Sequence, residues 1–424
     1  MAAWKRTYWA VWLSNLVTSI GMMSFLPFFP SHLESMGLTD PDEISVWTGV
    51  IFGSAPLMAA FMGPVWGAVG DRFGRRLMIL RALFAIALFV GAMAFARTPV
   101  ELLILRLMQG VFSGFVAPSI TLVGVVAPAD EQGRVTGSLQ TALAAGTIIG
   151  PLLGAYLETA LGVSSLFLCV AGAVLVSAIV VLVFVPGDVR SVSRREGSRA
   201  VEKGRVPLGS AFRQFFRDLG QHLESPALRN MLFMIFGVQF AVGATAPQME
   251  LFVRELWDGD PLLVPKLTGV LFSALAVSDL VSMPLWGQRG DRLGHGRMIL
   301  RSSQLTGVAL LLHAVVPVYS LLALARFFLG FASAGVKPCS FGLLAEETVI
   351  ERRGSAVGLV LSARQLAMST AAMLGGLIAA MIGLRGLFVL GGVGLLVSSW
   401  WIMGRYDRRQ SADSGAGSVE ESQR

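Results

Sequence analysis

Three ionisable residues, Asp279, Lys337 and Arg364, lie deep inside long apolar runs of this 424-residue chain. Each is eight to ten residues from the nearer end of its run, roughly 12–15 Å at helical rise. An unpaired charge at that depth is costly, so Asp279 is expected either to pair with Lys337 or Arg364 or to carry a proton. One acid beside two bases can do proton chemistry: the carboxyl takes a proton and releases its basic partner, then reverses. A permanent ion pair that never titrates is the competing reading. Glu250 is a second carboxylate, near the outer end of its run, where a rim position competes with a proton-coupling one. Gln365, Gln248 and Asn15 add polar, uncharged groups to the apolar runs and are candidates for a substrate cavity. Arg106 is roughly 10 Å inside its run, and snorkelling to the surface is the bland reading for it.

The elements that hold these residues are membrane helices. The chain is 54% hydrophobic and 14% charged, with a mean hydropathy of +0.67; a soluble domain carries about 25% charge. Apolar stretches of about twenty residues recur, each long enough to cross about 30 Å of hydrocarbon. Twelve spans are predicted, at 9–29, 45–68, 77–96, 99–126, 135–158, 163–186, 229–253, 266–287, 297–316, 318–345, 354–380 and 385–404. The first is read as a retained helix rather than a cleaved signal, since no small-residue cleavage site follows it. The tail from Ser411 is polar and small and is expected to be disordered.

Orientation follows from Lys and Arg placement. With both termini in the cytoplasm, only Arg97, Arg254, Lys266 and Arg385 of the 34 basic residues fall in outer loops, and Arg106, Arg326, Lys337 and Arg364 lie inside spans. The first outer loop carries Glu34, Asp40, Asp42 and Glu43 and no base. The +7 formal charge is thus explained by topology rather than by nucleic acid. Cys169 and Cys339 both fall in apolar runs, so neither a disulfide nor a metal site is indicated. The four histidines (His32, His222, His295, His313) are scattered and suggest no site.

A repeat organises the chain. Pro64-Val-Trp66-Gly67-Ala-Val-Gly70-Asp71-Arg72-Phe-Gly74 returns 220 residues later as Pro284-Leu-Trp286-Gly287-Gln-Arg-Gly290-Asp291-Arg292-Leu-Gly294. Met78 to Arg81 returns as Met298 to Arg301, Arg106 as Arg326, Gly110 as Gly330 and Pro118 as Pro338. Six spans separate equivalent points, so the halves share one orientation about an axis along the membrane normal. Residues 1–186 form an N-terminal six-helix bundle, 187–228 a cytoplasmic linker, 229–404 a C-terminal bundle and 405–424 a cytoplasmic tail. The first-half counterparts of Asp279, Lys337 and Arg364 are the apolar Ala59, Ala117 and Leu143, so the charged cluster belongs to the second half alone.

These motifs resemble the major facilitator superfamily, and within it the twelve-helix multidrug:proton antiporters. Gly67 to Arg76 is similar to the family signature between helices 2 and 3, with a weaker copy around Asp291. The resemblance implies a conformational latch of Gly67, Asp71, Arg72, Gly74, Arg75 and Asp291, in which glycines allow close approach and a tight turn. Leu105-Arg106-Leu-Met-Gln109-Gly110 resembles the helix 4 motif whose arginine influences proton affinity. Gly146, Gly150, Pro151 and Gly154 resemble the helix 5 pattern of antiporters and exporters, and Leu26-Pro27-Phe28-Phe29-Pro30 a similar exporter motif closing helix 1. Many exporters of this kind carry an acid within helix 1; this chain has none between Ala10 and Pro30, which leaves anionic, zwitterionic or neutral substrates open. The resemblance implies proton-coupled efflux of drugs or amphipathic metabolites by alternating access, in the inner membrane. Its partners are then a small-molecule substrate, protons and lipid, and the chain is expected to work as a monomer. A solute:proton symporter of the same fold is the alternative, and a non-transporting receptor or scaffold is the alternative of another class. No enzyme activity, cofactor or nucleic-acid partner is expected, and no phosphate-binding loop supports ATP as the energy source.

Overall fold

Proline and glycine decide where each membrane run stops and turns. A computed structural model describes residues 3–128, 130–187, 220, 225–348 and 353–421; at 3, 64, 68, 71, 72, 353–359 and 405–421 it describes the backbone alone. The described residues form helices and no strand. Helix 1 is Ala3–Phe25, helix 2 Pro41–Phe73, helix 3 Arg75–Met93, helix 4 Pro99–Val126, helix 5 Gln132–Leu161 and helix 6 Val163–Phe184. Helix 7 is Pro226–Thr245, helix 8 Val264–Leu293, helix 9 His295–Val315 and helix 10 Tyr319–Glu347. The last helical stretch, Arg353–Glu421, is broken at Gly383, where φ is +78°. That break divides an apolar stretch of 45 residues, Val360–Gly404, into helices 11 and 12, completing twelve spans.

Three differences from the sequence reading have local causes. Pro247 ends helix 7 at Thr245, so Glu250 sits on a separate short helix, Met249–Leu256, rather than in the span. The tail from Ser411, expected to be disordered, continues the last helix to Glu421, and no proline occurs beyond Pro338 to stop it. Helix 4 is interrupted after Phe112, where Gly114 adopts a φ of +103° that only glycine takes readily. The expected linker at 187–228 lies almost wholly outside the described residues.

The repeat is visible in the contacts. Trp66 Nε1 donates to the carbonyl of Val111 at 2.6 Å, and Trp286 Nε1, 220 residues on, donates to Phe331 at 2.8 Å. A Cβ added to Gly110 would meet the backbone of Ala55; one added to Gly330 would meet that of Leu275. Gly74 and Gly294 turn their chains with φ of +98° and +91°. Pro27 and Pro247 each precede a short helix, Phe29–Ser35 and Met249–Leu256. Equal offsets in four independent features mean two bundles of one design. Each has its own core, one built around Phe25, Phe29, Leu83 and Phe167, the other around Phe252, Leu310, Leu329 and Phe388.

An even number of spans puts both termini on one face, called here the terminal face; the opposite face is distal. The halves meet through two equivalent pairs of helices. Helix 2 packs on helix 11 where Gly49 lies against Ala372, and helix 8 packs on helix 5 where Gly269 lies against Pro151. The Ser369 hydroxyl donates to Gly53 across the first pair at 2.6 Å, and the Ser273 hydroxyl to Ile148 across the second at 2.6 Å. Among the described residues, the hydrogen bonds joining the halves run from the distal surface to about mid-membrane and no further. The described contacts close the molecule at its distal face.

Candidate functional site

Helices 8, 10 and 11 carry the charged cluster to one depth in the second half. Lys337 Nζ lies 2.5 Å from Asp279 Oδ2, a short charge-assisted hydrogen bond. Arg364 interacts electrostatically with the same carboxylate, and its Nε is buried with no hydrogen-bond partner. Lys337 and Arg364 line a small cavity with Ile235, Gln239, Val336 and Phe341, between helices 7, 10 and 11 of the second half. The side chain of Asp279 is 16% exposed and that of Lys337 30%. The pair is therefore not sealed within the protein. With one carboxylate to two bases, the fully ionised cluster has an excess positive charge.

Arg106 does not snorkel. It is 1% exposed, and helix 4 holds it against helix 2, where it donates to the carbonyls of Ile51 (3.3 Å) and Phe52 (3.5 Å) and to Gln109 Oε1 (2.6 Å). The rings of Phe25 and Phe29 face it at 5.8 and 5.3 Å. The snorkelling reading fails because neutral acceptors satisfy the guanidinium where it sits. Arg326, its repeat counterpart, has Leu329 in place of Gln109, and its Nε and Nη1 find no partner.

The remaining candidates fall in different places. Asn15 donates to Val11 and to Ser119 on helix 4, inside the first bundle, away from the charged cavity. Gln248 exchanges hydrogen bonds with Ser45 at 2.9 and 3.2 Å, joining the halves at the distal face. Gln365 follows Arg364 on helix 11 and is half-buried. Gly146, Gly150 and Gly154 lie against Ser19, Ile20 and Ser24, so the helix 5 stripe packs on helix 1, while Pro151 faces Gly269 of the other half. Of the latch residues, the side chains of Asp71 and Arg72 lie outside the described residues. Gly74 makes the turn, but an added Cβ at Gly67 would meet nothing within 4 Å. Among the described residues, then, nothing approaches Gly67 closely. Arg75 donates to Thr121 at 3.4 Å. Asp291 lies 3.2 Å from His295 Nε2, whose Nδ1 meets Glu346 at 2.8 Å. Sequence reasoning gave His295 no role, since Glu346 is 51 positions away; His222 lies outside the described residues.

The distal face holds the group that sequence reasoning most underrated. Glu250 is fully enclosed. One of its oxygens accepts from Arg254 at 2.8 Å and from the Ser31 hydroxyl, and the other from the Ser31 amide at 3.4 Å. Arg254 also donates to Ser31 at 3.0 Å and pairs with Glu34 of the first half. Glu34 and Arg254 are themselves 220 residues apart, so equivalent positions of the repeat clasp each other. The signal was present in the first outer loop, where acids are unopposed by bases.

A model for the Major Facilitator Superfamily matches residues 11–257 and 231–422. The multidrug resistance protein MdtG of Proteus mirabilis is 29% identical over 386 residues, covering 91% of this chain and 92% of that protein. The protein of the same name from Serratia proteamaculans is 28% identical over 415 residues and 97% of both chains. Among solved structures, the nucleoside transporter NupG aligns with a TM-score of 0.70 at 15% identity, over 94% of this chain and 99% of that one. With its two matched halves and twelve spans, the chain belongs to the Major Facilitator Superfamily and is a transporter rather than an enzyme.

Proposed function

We propose that the chain expels small amphipathic or drug-like molecules in exchange for protons, with Asp279 as the principal proton carrier. The observation that carries this reading is the partly exposed pair of Asp279 and Lys337, with Arg364, whose Nε has no hydrogen-bond partner, beside it. A proton taken up by Asp279 from outside releases Lys337, and substrate binding from the inner side expels that proton and restores the charged carboxylate. Proton and substrate thus occupy the site in turn, as exchange requires. The relatives named for multidrug resistance support export of several substrates, and the apolar lining from Ile235, Val336 and Phe341 supports an amphipathic one.

Orientation completes the cycle. The concentration of Lys and Arg on the terminal face supports a cytoplasmic placement of both termini, in the inner membrane. The arrangement described is then inward-facing, and rocking about the Gly49 and Gly269 contacts presents the cavity outside. A single chain encloses the whole cavity, which supports a monomer as the working unit. The test is transport by the purified protein in proteoliposomes across an imposed pH gradient, over a small panel of acidic, zwitterionic, neutral and cationic amphipaths. Gradient-driven movement is expected for the parent and its loss for Asp279→Asn. Gradient-driven movement that survives in Asp279→Asn rejects Asp279 as carrier.

A further inference from the structure

The closed distal gate holds two more acids than its one arginine balances. Arg254 serves two carboxylates, Glu250 on its own segment and Glu34 on the other half. Glu158, on helix 5 one turn before Leu161, lies within electrostatic reach of both Glu250 and Arg254. Its neighbour Leu157 and Glu250's neighbour Leu251 pack on the same first-half core, which brings the two acids together from opposite halves. Three carboxylates thus surround one guanidinium. Of the other charged or titratable groups nearby, His32 turns its ring onto Phe167 at 5.0 Å, with Nδ1 near the Ser35 hydroxyl. Lys266, at the start of helix 8, is exposed and forms no ion pair among the described residues.

The three acids are not equally provided for. Glu250 receives hydrogen bonds from Arg254, the Ser31 hydroxyl and the Ser31 amide, and Glu34 receives one from Arg254. Glu158 Oε2 is enclosed and receives none. An enclosed, charged carboxylate oxygen without a donor is the costly case, and a proton removes the charge and supplies a donor in its place. When the halves part at this face, water supplies the missing hydrogen bonds and the charged form becomes affordable.

We propose that Glu158 is a second proton-binding group of the transport cycle, loaded from the outer aqueous phase. Protonated Glu158 lets the outer gate close over Glu250 and Arg254; ionised Glu158 repels Glu250 and holds the gate open. This deepens the proton-coupled reading: a proton taken up outside drives the return of the empty carrier to its inward-facing form. The step is a protonation only, with water as the donor and acceptor.

The test reads the gate without reading transport. Spin labels at the exposed positions Thr39 and Asp258, in full-length protein with Cys169 and Cys339 replaced by serine, report the distance across the gate in lipid nanodiscs. In the parent the closed population is expected to fall as the pH is raised from acid to alkaline. Glu158→Gln is expected to stay closed throughout, with a closed-to-open ratio at alkaline pH about tenfold or more above the parent's. Glu158→Asp, which keeps the carboxyl, is expected to keep the pH dependence. A Glu158→Gln variant that titrates like the parent overturns the proposal, and so does a parent gate that ignores pH, whatever the variants do. Asp279→Asn is expected to lose coupled transport while its gate still titrates, so failure of the Asp279 reading and failure of this one give different results.

Discussion

Replacing Gly269 by alanine should shift the transporter's conformational equilibrium without unfolding it. An added Cβ would stand 2.6 Å from the carbonyl oxygen of Pro151 and 2.9 Å from the Ala155 methyl, both on the other half. Backbone cannot yield as a flexible side-chain tip can, so the bundles must separate by a few tenths of an ångström or more. Overpacking of this kind costs about 1–3 kcal/mol. The clash exists only while the distal face is closed, so the cost falls on that state alone and changes the closed-to-open ratio by about 5- to 150-fold. Gly330→Ala is the control: its clash, 2.9 Å from the Ser278 Cβ and close to the Leu275 carbonyl, lies inside one bundle and persists in every state. Distances across the distal face, read by pulsed electron resonance at fixed pH, should lengthen for Gly269→Ala and not for Gly330→Ala. Thermal unfolding should drop mainly for Gly330→Ala. If Gly269→Ala instead keeps the parent's distance distribution and loses thermal stability, the contact is not a gate and the account of alternating closure is wrong.

Other outcomes follow from single contacts. Lys337→Met should lower the melting temperature by leaving Asp279 without its base, and the double variant Asp279→Asn/Lys337→Met should recover most of the loss, both read by thermal unfolding in detergent. Gln109→Leu, which reproduces the second half's Leu329, removes the one side-chain acceptor of Arg106 and should cost about 1–3 kcal/mol of stability; an unchanged melting temperature would contradict the role given to that 2.6 Å bond. Trp66→Phe and Trp286→Phe remove equivalent indole bonds and should cost about 1 kcal/mol each. A large difference between them would argue that the bundles are less alike than their contacts indicate.

The fold was legible because membrane burial writes long, unambiguous runs, and because a 220-residue repeat fixes both the number of helices and their sense. Helix 11 and helix 12 were separable in sequence for the same reason, with Gly383 between them. The charged cavity was legible too, since Asp279, Lys337 and Arg364 stand out against apolar neighbours. The distal gate was not. Ser31, Glu158 and Arg254 each look like ordinary rim residues, and only the meeting of two short helices, set by Pro27 and Pro247, brings Ser31 and Arg254 onto Glu250. His295 was missed likewise: its partners come one from the preceding turn of chain and one from the end of helix 10. Periodicity reports which face of a helix is buried, but the partner a polar group finds across bundles depends on how the halves rock together, which no local pattern encodes.

Coupled proton movement is the central claim, and its sign can be read directly. Proteoliposomes holding a pH-sensitive dye, at equal pH on both sides, should be given an inward gradient of a transported substrate. Exchange predicts that the lumen turns alkaline as substrate enters, and that Asp279→Asn abolishes the change. A lumen that turns acid would mean symport, and substrate entry with no pH change would mean no coupling; either result contradicts the account.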